Sequence, residues 1–252
     1  MPRARVVLVH GLRTSATMWR RQLATLARHD IEAVAIDLPG HGSRIGDPFS
    51  LEAAMLALSD ALPARDAASV TTPSLLVGLS LGGYLAIEFA GRHPDRIDGL
   101  VAAACGTRPR GAGLAGYRRL AALIGRLPDR GRAMNDAMVR LFLRGDAVDD
   151  VLAGGVALDV MAPALTAVGE LDPEGALAGI DVPVWFVNGR FDHFRLEERR
   201  MLRAAPRGRL VVVPGATHLV SLTRPDAFTA VVLGAVAELQ AHAGRRQHER
   251  NG

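Results

Sequence analysis

The stretch that decides the fold reads LLVGLSLGGYLAIEFA and runs from Leu75 to Ala90. A branched apolar run ends at Gly78, and apolar residues at helical spacing begin at Leu81. Between them stands Ser80 in the pattern Gly-x-Ser-x-Gly, which is typical of a sharp strand-to-helix turn that exposes the serine hydroxyl. The bare pattern is a weak signal, and the strand and helix around it give it weight. The stretch therefore predicts a nucleophile at Ser80.

Five more short apolar runs are similar to the one before this serine: RVVLVH, EAVAIDL, GLVAAAC, PVWFVNG and RLVVVPG. They are almost wholly apolar rather than alternating, as expected for strands covered on both faces of a parallel sheet. Helical patterns separate several of them, at residues 18–27, 51–62, 81–90 and 225–241. Since strand and helix alternate, we predict an α/β fold with a doubly wound, mainly parallel sheet of about six strands.

The alternation stops in the middle of the chain, where no strand-like run occurs. Apolar residues three and four apart in this segment indicate several amphipathic helices. We therefore predict that residues 108–179 form a helical cap inserted between two parts of the core, residues 1–107 and 180–242. The polar and charged residues 243–252 are predicted to form a disordered tail.

The composition is ordinary for a soluble globular protein, with 49% hydrophobic and 22% charged residues. The formal net charge is +4, all 30 basic residues are arginine, and no nucleic-acid-binding motif accompanies them. The N-terminal residues do not read as a signal peptide, and no uninterrupted apolar run reaches the roughly 18 residues of a membrane span. We expect a cytoplasmic protein, monomer or homodimer, with neither nucleic-acid nor membrane partners.

The sequence predicts no metal site and no cofactor. The single cysteine, Cys105, excludes an internal disulfide and a cysteine-based zinc site, and its apolar neighbours indicate a buried strand residue. The glycine-rich segment GLSLGG has a serine where a dinucleotide-binding fingerprint has its second glycine. The chemistry must therefore come from side chains and backbone groups of the chain itself.

A serine hydroxyl attacks well only when a base takes its proton and a carboxylate orients that base. Of the eight histidines, His218 lies in the loop after the last predicted strand, and Asp192 lies in the loop after the preceding strand. His193 directly follows Asp192 in sequence. A histidine next to the carboxylate that would orient it rarely has the geometry needed to act as the general base. We predict Ser80, Asp192 and His218 as catalytic residues at the C-terminal edge of the sheet.

The transition state of acyl transfer needs two backbone N–H groups to hold its oxyanion. The residue after the nucleophile, Leu81, supplies one amide. The segment LVHGL places Gly11 and Leu12 in the loop after the first strand, so the amide of Leu12 is the predicted second donor.

Together, the segments HGL…MW, DLPGHGSR, VGLSLGGYLA, NGRFD and PGATHLVSLTRPDAF resemble the α/β-hydrolase superfamily, in its Ser-His-Asp esterase branch with a helical cap. Within it the chain is similar to small carboxylesterases, including pimeloyl-carrier-protein methyl ester esterases, and to 3-oxoadipate enol-lactonases. The resemblance implies a cofactor-independent hydrolase of a small carboxylic ester that passes through an acyl-enzyme. It also implies that Asp37 and His41, in the DLPGHGSR turn, are structural.

Several other activities on the same three residues stay open: thioester hydrolysis, lactone opening, acyl transfer, perhydrolysis and carbon–carbon bond hydrolysis. A serine nucleophile disfavours epoxide or halide chemistry, for which relatives use an aspartate. A non-catalytic ligand-binding protein of this fold is the alternative of a different class. It is disfavoured because such proteins usually lack one of the three residues.

The start of the cap is strongly basic. Between residues 108 and 132 the chain has one acidic residue, Asp129, and seven arginines: Arg108, Arg110, Arg118, Arg119, Arg126, Arg130 and Arg132. A solvated helix face in a lysine-free protein is the favoured interpretation of this excess. The alternative is a site for an anionic substrate or for a substrate linked to an acidic carrier protein.

Overall fold

The computed structural model describes residues 3–64 and 72–251, with side chains described as far as residue 245. Its centre is a sheet of six parallel strands in the order β2-β1-β3-β4-β5-β6. The strands are β1 (Arg5–Val9), β2 (Glu32–Ile36), β3 (Ser74–Leu79), β4 (Gly99–Ala103), β5 (Val184–Gly189) and β6 (Gly208–Val213). The predicted α/β fold and the six-stranded parallel sheet are thus confirmed.

The burial of the strands explains their apolar sequences. Every residue of β3, β4 and β5 is buried, whereas the edge strands β2 and β6 are partly exposed. Successive residues of a strand point to opposite faces, so Val7 and Leu76 belong to the core on one face and Leu8 and Val77 to the core on the other. Two apolar cores therefore cover the sheet, as a parallel sheet requires.

Eleven α-helices accompany the sheet in the described residues. They are α1 (Arg20–Ala27), α2 (Leu51–Ala61), α3 (Leu81–Arg92), α4 (Gly111–Gly125), α5 (Arg132–Phe142), α6 (Asp146–Ala153), α7 (Met161–Glu170), α8 (Pro173–Ala178), α9 (Glu198–Ala204), α10 (Val220–Thr223) and α11 (Pro225–Asn251). Helices α2, α3 and α9 contribute to one core, and α1 and α11 contribute to the other. Helix α2 begins after an N-cap at Ser50, whose hydroxyl oxygen accepts a 3.1 Å hydrogen bond from the Ala53 N–H.

The chain between β4 and β5 contains helices α4 to α8 and, within the described residues, no strand. These helices lie where the sequence predicts the inserted cap. One of them, α8, packs against the core helices α3 and α9 rather than over the sheet edge. Helix α8 lies close to α3 because Gly91 of α3 lacks a side chain that would meet Ala176 of α8. Leu177 of α8 is fully buried as a result. The helices that can cover the sheet edge therefore end with α7.

The last helix is longer than the sequence pattern predicts. It continues to Asn251, through most of residues 243–252, for which a disordered tail is predicted; residue 252 lies outside the described residues. After Pro225 the segment has no proline, and arginine, glutamine and glutamate favour helix even where they are solvated. A polar composition therefore excludes a packed core there but does not exclude a helix.

Within α11, Pro225–Arg245 is long and apolar enough, by length and composition alone, to cross a membrane, although polar residues interrupt its apolar runs. Its apolar side chains also serve the core. Phe228, Val232, Ala235 and Leu239 are buried in the cluster that covers one face of the sheet. Packing against the sheet thus accounts for these apolar residues.

Candidate active site

The predicted nucleophile lies at a sharp turn between β3 and α3. Ser80 stands between Leu79, which ends the strand, and Leu81, which begins the helix. Its backbone has φ 55° and ψ −114°, a conformation that residues other than glycine rarely adopt. The Ser80 N–H donates a 2.8 Å hydrogen bond to the carbonyl of Ala103 at the end of β4. The turn is therefore tied to the C-terminal edge of the sheet, with the hydroxyl at that edge.

Two glycines allow the helix to start this close to the strands. A Cβ on Gly78 would lie 2.2 Å from the Gly82 carbonyl oxygen, and a Cβ on Gly82 would lie 2.4 Å from the Val9 carbonyl oxygen. Both contacts are with backbone, which cannot move aside as a flexible side chain can. The Gly-x-Ser-x-Gly pattern is thus a packing requirement of the crossing between α3, β3 and β1.

The base and the acid predicted from the sequence lie beside the serine. His218 Nε2 is 3.0 Å from Ser80 Oγ, and His218 Nδ1 is 2.9 Å from Asp192 Oδ1. A carboxylate only accepts hydrogen bonds, so it assigns the imidazole proton to Nδ1 and leaves the Nε2 lone pair facing the serine. The three residues have the geometry of a nucleophile, its general base and an orienting acid.

Asp192 follows β5, and its side chain is fully buried. Its Oδ1 also accepts a 2.8 Å hydrogen bond from the Phe194 N–H. Burial raises the pKa of Asp192. The hydrogen bond and charge of His218, the hydrogen bond from the Phe194 N–H and the charge of His193 lower it by more, so the pKa lies below its ordinary value. The carboxyl group therefore remains ionised at neutral pH and can stabilise a positive charge on His218.

The two predicted oxyanion donors lie at the same edge of the sheet. Leu12 follows β1, Leu81 begins α3, and both line the cavity that Ser80 reaches. Among the described residues, neither amide donates a hydrogen bond to a protein acceptor. The loop with Leu12 follows β1, and the turn before Leu81 follows the neighbouring strand β3. The strand order reverses between these two strands, and sheets of this type bind ligands at that point.

Two buried histidines fix the loop after β1, which carries Leu12. His10 donates from Nδ1 to the Gly11 carbonyl at 2.8 Å and accepts at Nε2 from the Leu38 N–H at 3.0 Å. His41 accepts at Nε2 a 3.3 Å hydrogen bond from the N–H of Arg13, whose φ is 63°. The loop that carries Leu12 is therefore joined to the DLPGHGSR turn through both imidazoles.

The same turn is organised by Asp37. Its carboxylate accepts hydrogen bonds from the Ala16 N–H at 2.7 Å and from the Ser43 N–H at 2.9 Å. Burial lowers the pKa of His10 to about 3, and burial likewise lowers the pKa of His41. Both imidazoles are therefore neutral at physiological pH. These contacts agree with the structural roles that the resemblance implies for Asp37 and His41.

A cavity of about 550 Å³ opens above Ser80 between the sheet edge and the cap. Its cap side is mostly apolar and comes from α4 and α7, through Leu114, Tyr117, Ala164, Leu165 and Val168. Its other side holds the backbone donors and the loop after β5. A cavity with one reactive polar edge and an apolar wall suits a ligand with a carbonyl group and a hydrocarbon portion.

Aromatic residues near the base were not predicted from the sequence. The Phe194 ring lies 4.8 Å from the ring of His218, between centroids, and 6.0 Å from the edge-on ring of Tyr117 on α4. The His193 ring is 5.1 Å from that of His218, and His193 Nδ1 is 4.0 Å from Asp192 Oδ1. In the sequence, only the aromatic segment FDHF around Asp192 hinted at these contacts. The contact of His193 and Phe194 with His218 depends on how the two loops pack in the fold.

The cap arginines differ in their pairing. Three form ion pairs: Arg108 with Glu197, Arg110 with Asp172, and Arg130 with Asp159. Within the described ranges, ion pairs are lacking at Arg118, Arg119, Arg126 and Arg132. The two arginines that line the cavity, Arg108 and Arg110, are thus already paired, and the unpaired charge lies elsewhere on the cap.

The chain is similar to known proteins over most of its length. A family model described as "Alpha/beta hydrolase family" matches residues 6–231. The pimeloyl-(acyl-carrier protein) methyl ester esterase of Neisseria meningitidis serogroup C is 31% identical over 246 residues, covering 90% of this chain and 91% of that protein. The enzyme of the same name from Pectobacterium atrosepticum is 28% identical over 250 residues, covering 90% of this chain and 92% of its own length.

Among solved structures, a thermophilic esterase from Thermogutta terrifontis superposes with a TM-score of 0.77 at 24% identity. The match covers 95% of this chain and 91% of that one. At this identity the likeness concerns the fold.

Proposed function

Since the chain belongs to the alpha/beta hydrolase family and is a carboxylic ester hydrolase, we propose that Ser80, His218 and Asp192 are its catalytic triad. One observation carries the proposal: a single imidazole bridges the serine hydroxyl at 3.0 Å and a buried carboxylate at 2.9 Å. A hydroxyl so placed can lose its proton as it attacks a carbonyl carbon.

The first half of the reaction forms the acyl-enzyme. His218 Nε2 takes the Ser80 proton while Oγ attacks the ester carbonyl, and Asp192 stabilises the imidazolium that results. The amides of Leu12 and Leu81 donate to the oxyanion of the tetrahedral intermediate. His218 then gives its proton to the leaving alkoxide, the C–O bond breaks, and the alcohol departs.

The second half hydrolyses the acyl-enzyme. A water molecule gives a proton to His218 Nε2 and attacks the same carbonyl, with the oxyanion again held by Leu12 and Leu81. The proton returns to Ser80 Oγ as the carboxylic acid leaves. All groups needed for both halves belong to this chain.

For the substrate we propose a methyl or other small alkyl ester of an acyl chain carried by an acidic protein. The support is the activity for which the relatives at about 30% identity are named, the apolar wall of the cavity, and the cap arginines that have no ion pair among the described residues. The acyl chain would lie along α4 and α7, with its ester carbonyl between Ser80 and the two amides.

The experiment is a panel of 4-nitrophenyl esters of increasing acyl length, a methyl ester, a thioester and a lactone. We expect ester turnover to exceed that of the thioester and the lactone. A faster thioester or lactone would replace the proposed substrate class while retaining the triad.

The triad itself is tested by Ser80→Ala, which should lower kcat at least about 10³-fold because only binding and oxyanion stabilisation would remain. A fluorophosphonate probe should label the parent protein and not the variant. Ordinary activity or labelling in Ser80→Ala would contradict the assignment of the nucleophile.

A further inference from the structure

Asp192, His193 and His218 form a cluster of metal-ligating side chains beside the cavity, which His193 lines. Each offers one ligand atom, and these atoms lie within 4.8 Å of one another. Two imidazole nitrogens and a carboxylate oxygen are the donors that Zn²⁺ accepts in tetrahedral sites that keep a fourth position open. His193 has no part in the triad, so the proposed ester hydrolysis does not explain why it stands here.

The distances fit such a site after a small movement. In a tetrahedral zinc site with bonds of about 2.0–2.1 Å, the ligand atoms lie roughly 3.4 Å apart. His218 Nδ1 is already 2.9 Å from Asp192 Oδ1, and His193 Nδ1 is 4.0 Å from the same oxygen. The His193 side chain is 68% exposed, so it can turn toward the other two without disturbing the core.

One polar atom of the cluster is unused. Asp192 Oδ2 is buried and, among the described residues, accepts no hydrogen bond. Oδ1, by contrast, accepts from both His218 and the Phe194 N–H. The distances to both imidazoles are to Oδ1, so Oδ1 is the ligand atom, and the unpartnered Oδ2 means that the carboxylate can adjust to a cation without losing a further hydrogen bond.

We infer that this cluster is an inhibitory binding site for Zn²⁺ and similar transition-metal ions. The metal takes the lone pair of His218 Nδ1, and the proton that this nitrogen carried moves to Nε2, so the imidazole stays neutral. Nε2 then presents an N–H to Ser80 Oγ and can no longer accept the serine proton. The hydrogen bond from His218 to Asp192 is lost in the same step. Inhibition is reversible because only a proton and the metal ion move, and no bond between heavy atoms of the protein breaks or forms.

The choice of metal follows from the donors. Imidazole binds Zn²⁺ and Cu²⁺ well, whereas Mg²⁺ and Ca²⁺ prefer sites made of oxygen ligands. Mg²⁺ and Ca²⁺ at the same concentration should therefore leave the rate of ester hydrolysis unchanged. This distinguishes coordination from general screening of charge.

Inhibition rests on the proposed triad, whereas binding of the metal does not, so the test measures both. Protein treated with EDTA and desalted is titrated with zinc, with affinity read by competition with a chromogenic zinc indicator and activity read with 4-nitrophenyl acetate. We expect one zinc per chain, a rate that falls in proportion to occupancy, and full recovery with EDTA.

The variant His193→Gln should bind zinc at least about tenfold more weakly, and its inhibition, relative to its own metal-free rate, should weaken by the same factor. The matched control is His29→Gln, which removes an exposed histidine from a helix end elsewhere. It should keep the parent affinity for zinc and the parent inhibition.

The outcomes separate the two proposals. Unchanged zinc affinity in His193→Gln, or ester hydrolysis that zinc does not inhibit, would overturn the inference and leave the triad standing. Zinc binding that depends on His193 in a protein without ester hydrolysis would overturn the proposed function and leave the metal site standing. A second measurement uses Co²⁺, whose tetrahedral absorption should appear at one equivalent in the parent and be lost in His193→Gln.

Discussion

The imidazole of His10 has no exposed surface and is held neutral between two loops. Its burial costs little while it is neutral, because both ring nitrogens have partners, at Gly11 and Leu38. A proton added to Nε2 would face the Leu38 N–H instead of a hydrogen-bond acceptor. The charged form is therefore strongly disfavoured in the folded protein.

Acid should consequently destabilise the fold well above the pH at which carboxylates titrate. Folded His10 stays neutral down to a pKa of about 3, whereas in the unfolded chain it binds a proton below about pH 6.5. Between these values the unfolded state holds more protons. The free energy of unfolding should fall on acidification, with a slope from His10 alone that grows through pH 6.5 toward about 1.4 kcal/mol per pH unit, and His41 should act in the same direction. Urea unfolding between pH 7 and 5 measures the slope.

The variant His10→Asn should be less stable at neutral pH, since it loses a buried hydrogen-bonding ring. Its free energy of unfolding should nevertheless depend on pH less steeply, by about one proton. Equal slopes in variant and parent would show that His10 is not the residue responsible.

At this scale the sequence predicts the residues whose role follows from their neighbours in the chain. Ser80 is marked by its glycines, and Asp192 and His218 by the strands before them. The pairing of Arg108 with Glu197 joins residues 89 positions apart, and no local pattern encodes it. The approach of His193 to His218 depends likewise on how two loops lie side by side, which chain spacing does not give.

Among the elements, the contact between β3 and α3 is the most sensitive to added volume. The helix begins directly after the turn and crosses both β3 and β1, with backbone against backbone at Gly82. A methyl group there must displace either the strand or the helix.

The variant Gly82→Ala should therefore lower the free energy of unfolding by more than about 2 kcal/mol, because its Cβ would lie 2.4 Å from the Val9 carbonyl oxygen. The matched control is Gly116→Ala on α4, where a Cβ would meet no atom within 4 Å. That change should raise stability by about 0.5 to 1 kcal/mol, since alanine favours helix over glycine. Thermal unfolding of the two variants measures the difference, and similar melting temperatures would contradict this account.

Elements that carry long apolar runs are the ones that the sequence predicts well, because burial requires those residues. The six strands are of this kind. The length of α11 and the position of α8 have no such local signal. The end of α11 carries no apolar pattern, and α8 joins the core through the close approach of Ala176 to Gly91, which is visible only in three dimensions.

For the whole molecule, the distribution of charge over the cap sets how it can meet a partner. The arginines at the cavity are paired, whereas Arg119 and Arg126 are exposed and, within the described residues, without ion pairs. Arg118 has a structural contact, because its guanidinium donates to the Leu165 carbonyl at 3.0 Å. Arg119 and Arg126 are therefore the better probes of long-range attraction.

If these arginines attract an acidic carrier, salt should weaken that attraction, since the Debye length is about 8 Å at physiological ionic strength. The KM for a carrier-linked ester should then rise with salt, and the double change Arg119→Gln and Arg126→Gln should raise it at low salt. The KM for a neutral short-chain ester should respond to neither. Equal responses of both substrates would identify these arginines as a solvated face.

The backbone of Ser80 has a further consequence, which concerns how selection acts on this position. A serine at φ 55° and ψ −114° is strained by an amount on the order of 1–3 kcal/mol, and a glycine would not be. Ser80→Gly should therefore melt at a higher temperature than Ser80→Ala, although both lack the hydroxyl. Equal melting temperatures would mean that the turn stores no strain. A higher melting temperature of Ser80→Gly would show that stability and catalysis favour different residues at position 80. A lineage no longer selected for activity would then gain stability by replacing the serine with glycine.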